Sequence, residues 1–456
     1  MTPRRSSRRP AAPLPERLAW LYGLRRFGMK LDLEAARALL DALGAPEKKL
    51  RILHVAGTNG KGSTAAIAEA ILREAGWRTG LYTSPHLIDF AERIRVDGRT
   101  IGRRALLDLT GRVIAAMPEV ASRVGRGVTF FEATTAMAFL HFAERGVEAA
   151  VIETGMGGRY DATNVATPLV CAITPISLEH QRYLGRTLAA IAGEKAAIVK
   201  RGVPVVSAAQ APAARRVIQR RAREQGACLS FLGRDFHALA QPEERFDYVG
   251  LRAKLPGLRC GLLGPHQQEN AAVALAACER LSGRGLAVGE RDMRRGVTAA
   301  RLAGRLERVL PATARRGAVV LDGAHNPAGA RALARALPRV FSYRRLVLVC
   351  GAMSDKDLPK LLGPLAREVR RTRGIALATA AAFDRSASGT EIARALRKLG
   401  ARARTIPSVA GAVDAALRES TGEDLVLVSG SFYVVGEARA HLSRGAGRAP
   451  VLPGAV

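Results

Sequence analysis

A glycine-rich loop lies between a predicted strand, residues 52–56, and a predicted helix, residues 65–74. It consists of Gly57, Thr58, Asn59, Gly60, Lys61, Gly62 and Ser63. A loop in this position aims backbone N–H groups and the positive end of a helix at a phosphate chain. Lys61 adds a charge, and Ser63 offers a hydroxyl to magnesium. The spacing differs from the usual P-loop, because Gly62 stands where a hydroxyl normally follows the lysine. We predict that this phosphate loop binds a nucleotide and is not a simple turn.

Polar side chains also follow three other predicted strands. In doubly wound sheets, ligands bind outside the carboxyl ends of the strands. Ser84 could therefore give an oxygen to a metal, although a Ser-Pro pair is more often just a turn. Glu153 leaves an apolar strand into a Gly-rich loop, which suggests a magnesium ligand or a water-holding base; the alternative is a surface acid. His180 lies in a loop and is a candidate ligand.

Lys195 lies in a helix-like stretch, residues 188–200, among alanine and isoleucine residues. An ammonium group without compensation would be costly in such surroundings, so a partner or a chemical modification is expected. The pattern alone leaves a second interpretation open, a helix lysine whose charged end reaches water.

The elements that must position these residues follow an α/β pattern, in which short apolar runs alternate with helix-length segments. The first group of predicted strands covers residues 52–56, 80–83, 149–153 and 169–174. Residues 236–260 form either antiparallel strands or a loop, and a helix begins near Gln267. The alternation then restarts with predicted strands at 319–322, 346–351, 375–379 and 425–429. This restart predicts a second α/β domain, joined to the first between Arg301 and Arg316.

The composition of the chain limits the classes of function that it could have. The formal charge is +31, which favours polyanionic ligands. The arginines, however, are scattered through predicted helices. We therefore interpret them as residues of solvated helix faces and not as a nucleic-acid site. The five cysteines form no Cys-x-x-Cys pair. No apolar run reaches the ~18 residues that span a bilayer, and no signal peptide is recognisable. We expect a cytoplasmic protein without membrane partners.

Several motifs together resemble the folylpolyglutamate/dihydrofolate synthase family of the Mur ligase superfamily. They are HVAGTNGKGS at 54–63, TSPHL at 83–87, FFEATT at 130–135, the loop 153–164, the segment 180–195 and DGAHNP at 322–327. The resemblance implies an N-terminal P-loop ATPase domain, with a mainly parallel sheet and helices on both faces, and a smaller C-terminal Rossmann-like domain. We expect these domains at 16–306 and 307–442, with disordered tails at 1–15 and 443–456.

The resemblance also implies the chemistry. ATP phosphorylates the carboxylate of dihydropteroate or tetrahydrofolate, and the amine of L-glutamate attacks the acyl phosphate. Mg²⁺, at two sites, is bound by Ser63, Ser84, Glu153 and His180, while Lys195 matches a lysine that the family carbamylates. Together with the phosphate loop, the implied nucleotide contacts are Asn270, Arg305 and Asp322. The implied substrate contacts are Phe131, Glu132 and Asp161 on the pterin side, Asp322, His325, Ser431 and Tyr433 on the glutamate side, and Arg159.

Two positions depart from the family pattern. Glu179 stands where an aspartate usually precedes the histidine, and the longer acid is expected to shift the water shell of the metal. Ala197 replaces a usual glycine. The loop from Arg159 to Asn164 resembles bifunctional members, so we expect both activities in a monomer.

Three other functions remain open. The enzyme could have only one of the two activities. It could be another Mur-type amino-acid ligase, although the roughly 50 residues before the phosphate loop are too few for the nucleotide-sugar domain of such enzymes. A more remote alternative is a basic P-loop ATPase that binds nucleic acid, whose affinity would depend strongly on salt.

Overall fold

The fold is taken from a computed structural model, which describes residues 14–27 and 30–445. The first strands are β1 (Ile52–Ala56), β2 (Thr79–Tyr82), β3 (Ile94–Val96), β4 (Arg99–Thr100), β5 (Ala149–Glu153), β6 (Val170–Ile173), β7 (Val205–Ser207) and β8 (Leu229–Phe231). They are followed by β9 (His237–Ala240), β10 (Arg245–Val249), β11 (Lys254–Arg259), β12 (Glu307–Leu310), β13 (Ala318–Asp322), β14 (Arg345–Cys350), β15 (Ile375–Ala378), β16 (Ala403–Thr405) and β17 (Asp424–Ser429).

The α-helices fall into two groups along the chain. The first group is α1 (Leu14–Gly23), α2 (Glu34–Ala42), α3 (Lys61–Glu74), α4 (Arg103–Val124), α5 (Phe130–Glu144), α6 (Gln181–Leu184), α7 (Leu188–Ala196), α8 (Pro212–Glu224), α9 (Pro265–Ser282) and α10 (Glu290–Ala299). The second is α11 (Pro327–Val340), α12 (Leu358–Arg371), α13 (Gly389–Lys398), α14 (Val409–Glu419) and α15 (Phe432–Gly445). No helix in these described ranges is both long and apolar enough to cross a bilayer.

The larger sheet has the strand order β4-β3-β2-β5-β1-β6-β7-β8. Strands β2, β5, β1, β6, β7 and β8 are parallel, while β3 and β4 add an antiparallel edge. The chain order changes direction at β1, because β2 and β5 lie on one side of it and β6 to β8 on the other. This switch point opens a crevice at the carboxyl end of β1, where the phosphate loop begins.

The sequence predicted either antiparallel strands or a loop for residues 236–260. The structure has antiparallel strands there, in a small sheet with the order β11-β10-β9. Phe246, Tyr248 and Leu255 point from it into a core shared with the alanine-rich face of α9. These strands were hard to predict because only one of their faces is buried and a register shift interrupts β10.

The second sheet has the order β12-β13-β17-β14-β15-β16 and is parallel except for the β12–β13 pair. One face packs against α11, α12 and α13, and the other against α14 and α15. The continuous apolar runs of β14 and β17 reflect this burial on both faces. The predicted two-domain α/β architecture is confirmed.

Some helices begin or end a few residues away from the predicted bounds. Helix α1 begins at Leu14, inside the predicted N-terminal tail, because Leu14 and Leu21 pack into a core near α4 and α5. Helix α15 continues to Gly445, beyond the predicted end at residue 442. Residues 1–13 and 446–456 of the predicted tails lie outside the described residues. Helix α3 starts four residues earlier than predicted, at Lys61, because Gly60 in the left-handed region caps it.

Candidate active site

A cleft of about 1490 Å³ lies between the unit built on the larger sheet and the unit built on the second sheet. Many of the predicted site residues line it: Thr58, Asn59, Gly60, Lys61, Gly62, Ser63, Ser84, Phe131, Glu132, Glu153, Asp161, His180, Asn270, Arg305, Asp322 and His325. The polar side chains that follow β1, β2, β5 and β13 therefore meet in one place, as the parallel-sheet argument predicts.

The phosphate loop depends on two glycines. The φ angles of Gly57 and Gly60 are 147° and 86°, in the region that favours glycine. A Cβ atom on Gly57 would lie 1.9 Å from Oγ1 of Thr174, and one on Gly60 would lie 2.3 Å from Oδ1 of Asn270. Because α3 begins directly after Gly60, the N–H groups of its first turn are directed at the cleft, where a phosphate would bind.

Lys61 and Glu153 lie side by side at the floor of the cleft. The Lys61 Nζ is 4.0 Å from Oε1 of Glu153, and the other carboxylate oxygen accepts a hydrogen bond of 3.1 Å from the backbone N–H of Ser84. Burial raises the pKa of Glu153, while the charge of Lys61 and the Ser84 hydrogen bond oppose that rise. A further cation at this carboxylate would be stabilising.

The donor set around Glu153 suits magnesium better than a softer metal. The described residues hold no group of three or more His, Cys, Asp or Glu side chains that could form a protein-only metal site. Ser63, Ser84 and Glu153 line the cleft with oxygen donors. Magnesium in nucleotide sites is typically held by one or two carboxylates together with phosphates and water. The residues present therefore fit a magnesium ion that accompanies a nucleotide.

His180 and Glu179 follow β6 but have different surroundings. The His180 side chain lies at the cleft and remains partly in contact with solvent. Its partial burial, together with the charge of Lys356, lowers its pKa to about 4, while the charge of Glu179 opposes this shift. His180 is therefore neutral and able to act as a ligand. Glu179 is buried, and its Oε1 accepts hydrogen bonds from Nε2 of His325 at 3.0 Å and from Nδ2 of Asn326 at 3.1 Å.

Glu179 thus joins the two units, which the sequence did not predict. Burial by itself would raise its pKa, but the hydrogen bond and charge of His325 hold the pKa below the usual range. The same contact is extended by Asn326, whose Nδ2 also donates to Oδ1 of Asn59 in the phosphate loop at 2.8 Å.

Lys195 is 3% exposed, which contradicts the interpretation of a solvated helix lysine. Its Nζ donates a hydrogen bond of 2.6 Å to the carbonyl oxygen of Gly57, at the start of the phosphate loop. Burial, and then the charge of Lys61, lowers the pKa of Lys195 to about 7. Within the described ranges, no carboxylate forms an ion pair with this ammonium group.

The predicted nucleotide contacts form a second wall of the cleft. Nδ2 of Asn270 donates to Oε1 of Gln267 at 2.9 Å, which orients the amide oxygen towards Gly60. The Arg305 guanidinium lies 4.5 Å from the centre of the Phe432 ring. The two Asp322 oxygens accept backbone N–H groups at 2.8 and 2.9 Å, and burial raises the pKa of this acid.

The predicted pterin-side residues also line the cleft. Phe131 packs on Gly155 so closely that a Cβ on Gly155 would lie 2.4 Å from the ring. The carboxylate of Glu132 accepts hydrogen bonds of 2.8 and 3.1 Å from Arg126 and caps α5.

The carboxylate of Asp161 accepts hydrogen bonds from Oγ1 of Thr163 at 2.5 Å and from the N–H of Met156 at 2.9 Å. Both Glu132 and Asp161 therefore shape the cleft wall with carboxylates that already have protein partners.

Arg159, predicted as a substrate contact, is not brought to the cleft. Its Nε donates to Oε1 of Glu194 at 2.9 Å, and half of the side chain is exposed. The Arg159 guanidinium is therefore paired with a carboxylate of α7, that of Glu194.

Ser431 and Tyr433 also do not line the cleft; Phe432, between them, does. Ser431 is buried, and Tyr433 stacks on Phe383 with ring centres 4.3 Å apart. Helix α15 begins at Phe432, and successive side chains on a helix point about 100° apart, so Phe432 and Tyr433 point in different directions.

Sequence reasoning missed several residues of the cleft. They are Tyr22, Arg25, Arg93, Phe130, His266, Phe383, Arg385 and Phe432. Arginine is so abundant in this chain that its position in the sequence does not distinguish a cleft residue from a solvated one.

Comparisons with known proteins agree with this geometry. The model of the Mur ligase middle domain matches residues 55–278, and that of the Mur ligase glutamate ligase domain matches residues 304–432. The dihydrofolate synthase/folylpolyglutamate synthase of Bacillus subtilis (strain 168) is 38% identical over 350 residues, which cover 75% of this chain and 80% of the relative.

Two solved structures extend the likeness to nearly the whole chain. Mycobacterium tuberculosis folylpolyglutamate synthase complexed with ADP is 32% identical with a TM-score of 0.86, covering 96% of this chain and 100% of that chain. E. coli FolC in complex with DHPP and ADP is 30% identical with a TM-score of 0.84, over the same shares of both chains. The protein belongs to the dihydrofolate synthase/folylpolyglutamate synthase family of Mur ligases.

Proposed function

We propose that the protein is an ATP-dependent ligase that joins L-glutamate to dihydropteroate and to the glutamate of tetrahydrofolate. The observation that carries the proposal is a single cleft in which the phosphate loop faces Asp322 and His325 of the second unit. The ADP and DHPP in the related E. coli structure support a nucleotide and a pterin compound as ligands here.

The proposed reaction has two steps. A carboxylate oxygen of the acceptor attacks the γ-phosphorus of ATP, the bond to the bridging oxygen breaks, and ADP leaves. The glutamate nitrogen then attacks the acyl carbon, the acyl carbon–oxygen bond breaks, and phosphate leaves while the amine loses a proton. Lys61 would offset charge on the phosphoryl oxygens. Ser63, Ser84, Glu153 and His180 would hold magnesium, which supplies the same kind of stabilisation.

Carbamylation of Lys195 is part of the proposal. Its buried amine has a pKa of about 7, so a neutral form is available near neutral pH to attack carbon dioxide. The product, after loss of a proton, is a carbamate with a carboxylate-like charge. Such a group could support a second magnesium ion without the cost of a buried unpaired ammonium.

Release of ADP tests the function. It is measured with dihydropteroate plus glutamate, and separately with tetrahydrofolate plus glutamate. Turnover with both pairs is expected; turnover with one pair identifies a monofunctional enzyme. If neither pair stimulates ADP release, the folate proposal fails, and other Mur-type acceptors or salt-dependent binding of nucleic acid become the functions to examine.

Three further expectations belong to this proposal. The domain bounds are 16–306 and 307–442, the enzyme is a monomer, and it acts in the cytoplasm. Limited proteolysis near residue 306, sedimentation and cell fractionation would test them in turn.

A further inference from the structure

The cleft contains a buried guanidinium group, that of Arg93, which has no carboxylate partner among the residues that the structure describes. Arg93 is 5% exposed and lines the cleft. Its Nε donates a hydrogen bond of 2.8 Å to Nδ1 of His86. Among the residues that the structure describes, no carboxylate oxygen lies within ion-pair distance of Arg93. Burying a charge is costly unless a counter-charge is supplied.

A second guanidinium, that of Arg25, lies beside the first and also lines the cleft. Its Cζ is 4.5 Å from the ring centre of Tyr22 and 4.9 Å from that of Phe130, while the Cζ of Arg93 is 5.3 Å from the same Phe130 ring. Burial lowers the pKa of Arg93, and the charge of Arg25 acts in the same direction. The aromatic rings offset only part of the repulsion between the two guanidinium groups.

Two acids close to Arg93 in the sequence are already occupied. The Glu92 carboxylate accepts the backbone N–H groups of Leu87 at 2.8 Å and of Ile88 and Asp89 at 3.0 Å. The Asp89 side chain accepts the N–H of Ala91 at 2.9 Å. These carboxylates therefore do not pair with the two arginines, and a ligand anion in the cleft would supply the counter-charge.

Glu153 shows where that ligand would lie. The charge of Arg93 is close enough to lower the pKa of Glu153, which lies beside Lys61 at the floor of the cleft. Arg93 and Arg25 line the same cleft as Lys61 and Glu153, on the side that carries the aromatic rings.

We propose that Arg93 and Arg25 bind the α-carboxylate of the glutamyl residue of the acceptor folate; the inference rests on the proposed function. Dihydropteroate has one carboxylate, which reacts. Tetrahydrofolate ends in a glutamyl residue with a reacting γ-carboxylate and a free α-carboxylate. Only the second acceptor therefore brings an anion for the arginine pair, which makes the pair a determinant of acceptor specificity.

The substitutions Arg93→Gln and Arg25→Gln test the proposal. Each is expected to raise KM for tetrahydrofolate about 10- to 100-fold, because a charge-assisted hydrogen bond is lost, and to leave KM for dihydropteroate within about twofold. Arg308→Gln is the matched control. Its guanidinium lies 5.2 Å from the Phe341 ring, on the surface and away from the cleft, so both KM values should stay unchanged.

A substrate analogue gives a second test that does not depend on the folding of a variant. Tetrahydropteroyl-γ-aminobutyrate keeps the reacting carboxylate and lacks the α-carboxylate. The unmodified enzyme should show a KM for this analogue about 10- to 100-fold above that for tetrahydrofolate. In Arg25→Gln, and in Arg93→Gln where it folds, the difference between the two acceptors should shrink.

Several results would overturn the inference. One is an equal rise in KM for both acceptors, and another is a rise in KM for L-glutamate with either acceptor, which would assign the arginines to the incoming amino acid. Equal KM values for tetrahydrofolate and the analogue, or turnover with dihydropteroate alone, would also overturn it. Failure of the proposed function looks different, because the unmodified enzyme then releases no glutamate-dependent ADP with any acceptor.

Discussion

At the scale of single residues, similar acids and bases acquire different properties from their surroundings. Burial raises the pKa of Glu153, whereas the His325 contact lowers that of Glu179, although Glu153 ends β5 and Glu179 follows β6 in the same sheet. The difference follows from what each carboxylate touches: a lysine at 4.0 Å for Glu153 and a hydrogen-bonded imidazole at 3.0 Å for Glu179. Glu153 has room for a metal, while Glu179 is committed to joining the units.

Gly60→Ala should weaken ATP binding about tenfold or more. The added Cβ would lie 2.3 Å from Oδ1 of Asn270 at a φ of +86°, so the phosphate loop must move. Titration calorimetry with ATP measures the effect. Gly125→Ala is the control, because Gly125 has a φ of +71° and nothing within 4 Å of its Cβ position. Unchanged ATP affinity in Gly60→Ala would contradict the predicted site.

Lys195→Ala should lose most ADP release, and short carboxylic acids should restore part of it. The physical reason is that a small acid can enter the vacated space and replace the carbamate charge. Lys200→Ala is the matched control, since Lys200 also donates to a backbone carbonyl, that of Asn164 at 3.0 Å, which lies outside the phosphate loop. Full activity of Lys195→Ala without any added acid would remove the carbamate from the mechanism.

At the scale of elements, two buried hydrogen bonds connect strand β1 to the loop that carries Asp161. Nε2 of His54 donates to Oγ1 of Thr163 at 2.8 Å, because the Thr163 hydroxyl itself donates to Asp161. Nε2 therefore carries a proton, while the buried Nδ1 has no hydrogen-bond partner among the described residues, which disfavours a second proton there. Burial lowers the pKa of His54 to about 3.

Stability should consequently fall on acidification. Between its ordinary pKa of 6.5 and about 3, His54 binds a proton in the unfolded chain and not in the folded one. The free energy of unfolding then decreases by about 1.4 kcal/mol for each pH unit below 6.5 from this group. Urea unfolding of the unmodified protein and of His54→Gln, which cannot titrate, measures it. A variant with the same pH slope as the unmodified protein would show that His54 is not responsible.

At the scale of the whole molecule, the loop after β2 connects the two units. Leu87 and Ile88 leave the larger unit and pack in the core of the second, against Val319 and Val435. The same loop carries Ser84, whose N–H holds Glu153. The position of the second unit and the geometry of the predicted magnesium site are therefore linked through one short segment.

Gly436→Ala should destabilise the protein and reduce turnover together. A Cβ on Gly436 would lie 2.1 Å from the carbonyl oxygen of Leu87, which forces the loop away from α15. Overpacking of this kind costs about 1–3 kcal/mol. Gly363→Ala adds the same methyl group to a helix of the second unit with nothing within 4 Å. Equal unfolding midpoints in urea for the two variants would show that the contact is not important.

The sequence predicted the residues that one local segment can bring to a strand end. Strand positions, the phosphate loop, Ser84, Glu153 and His180 follow from apolar runs and the residues after them, and the parallel order of strands places their ends together. Arg159, Ser431 and Tyr433 were predicted by motif alone, and their side chains have other partners. A motif predicts which segment lies near the site. Which of its side chains faces the cleft depends on their direction around the helix and on nearby partners, such as Glu194 for Arg159 and Phe383 for Tyr433.

By itself, then, the sequence determined the family, the α/β class and the edge of the sheet where phosphate binds, because these depend on local patterns and on short loops. Only the tertiary structure decided that Lys195 is buried, that Glu179 joins the two units, and that Arg93 lacks a carboxylate partner in the described chain. The physical reason is that desolvation and ion pairing depend on residues far apart in the chain, which come together only when both units pack around one cleft.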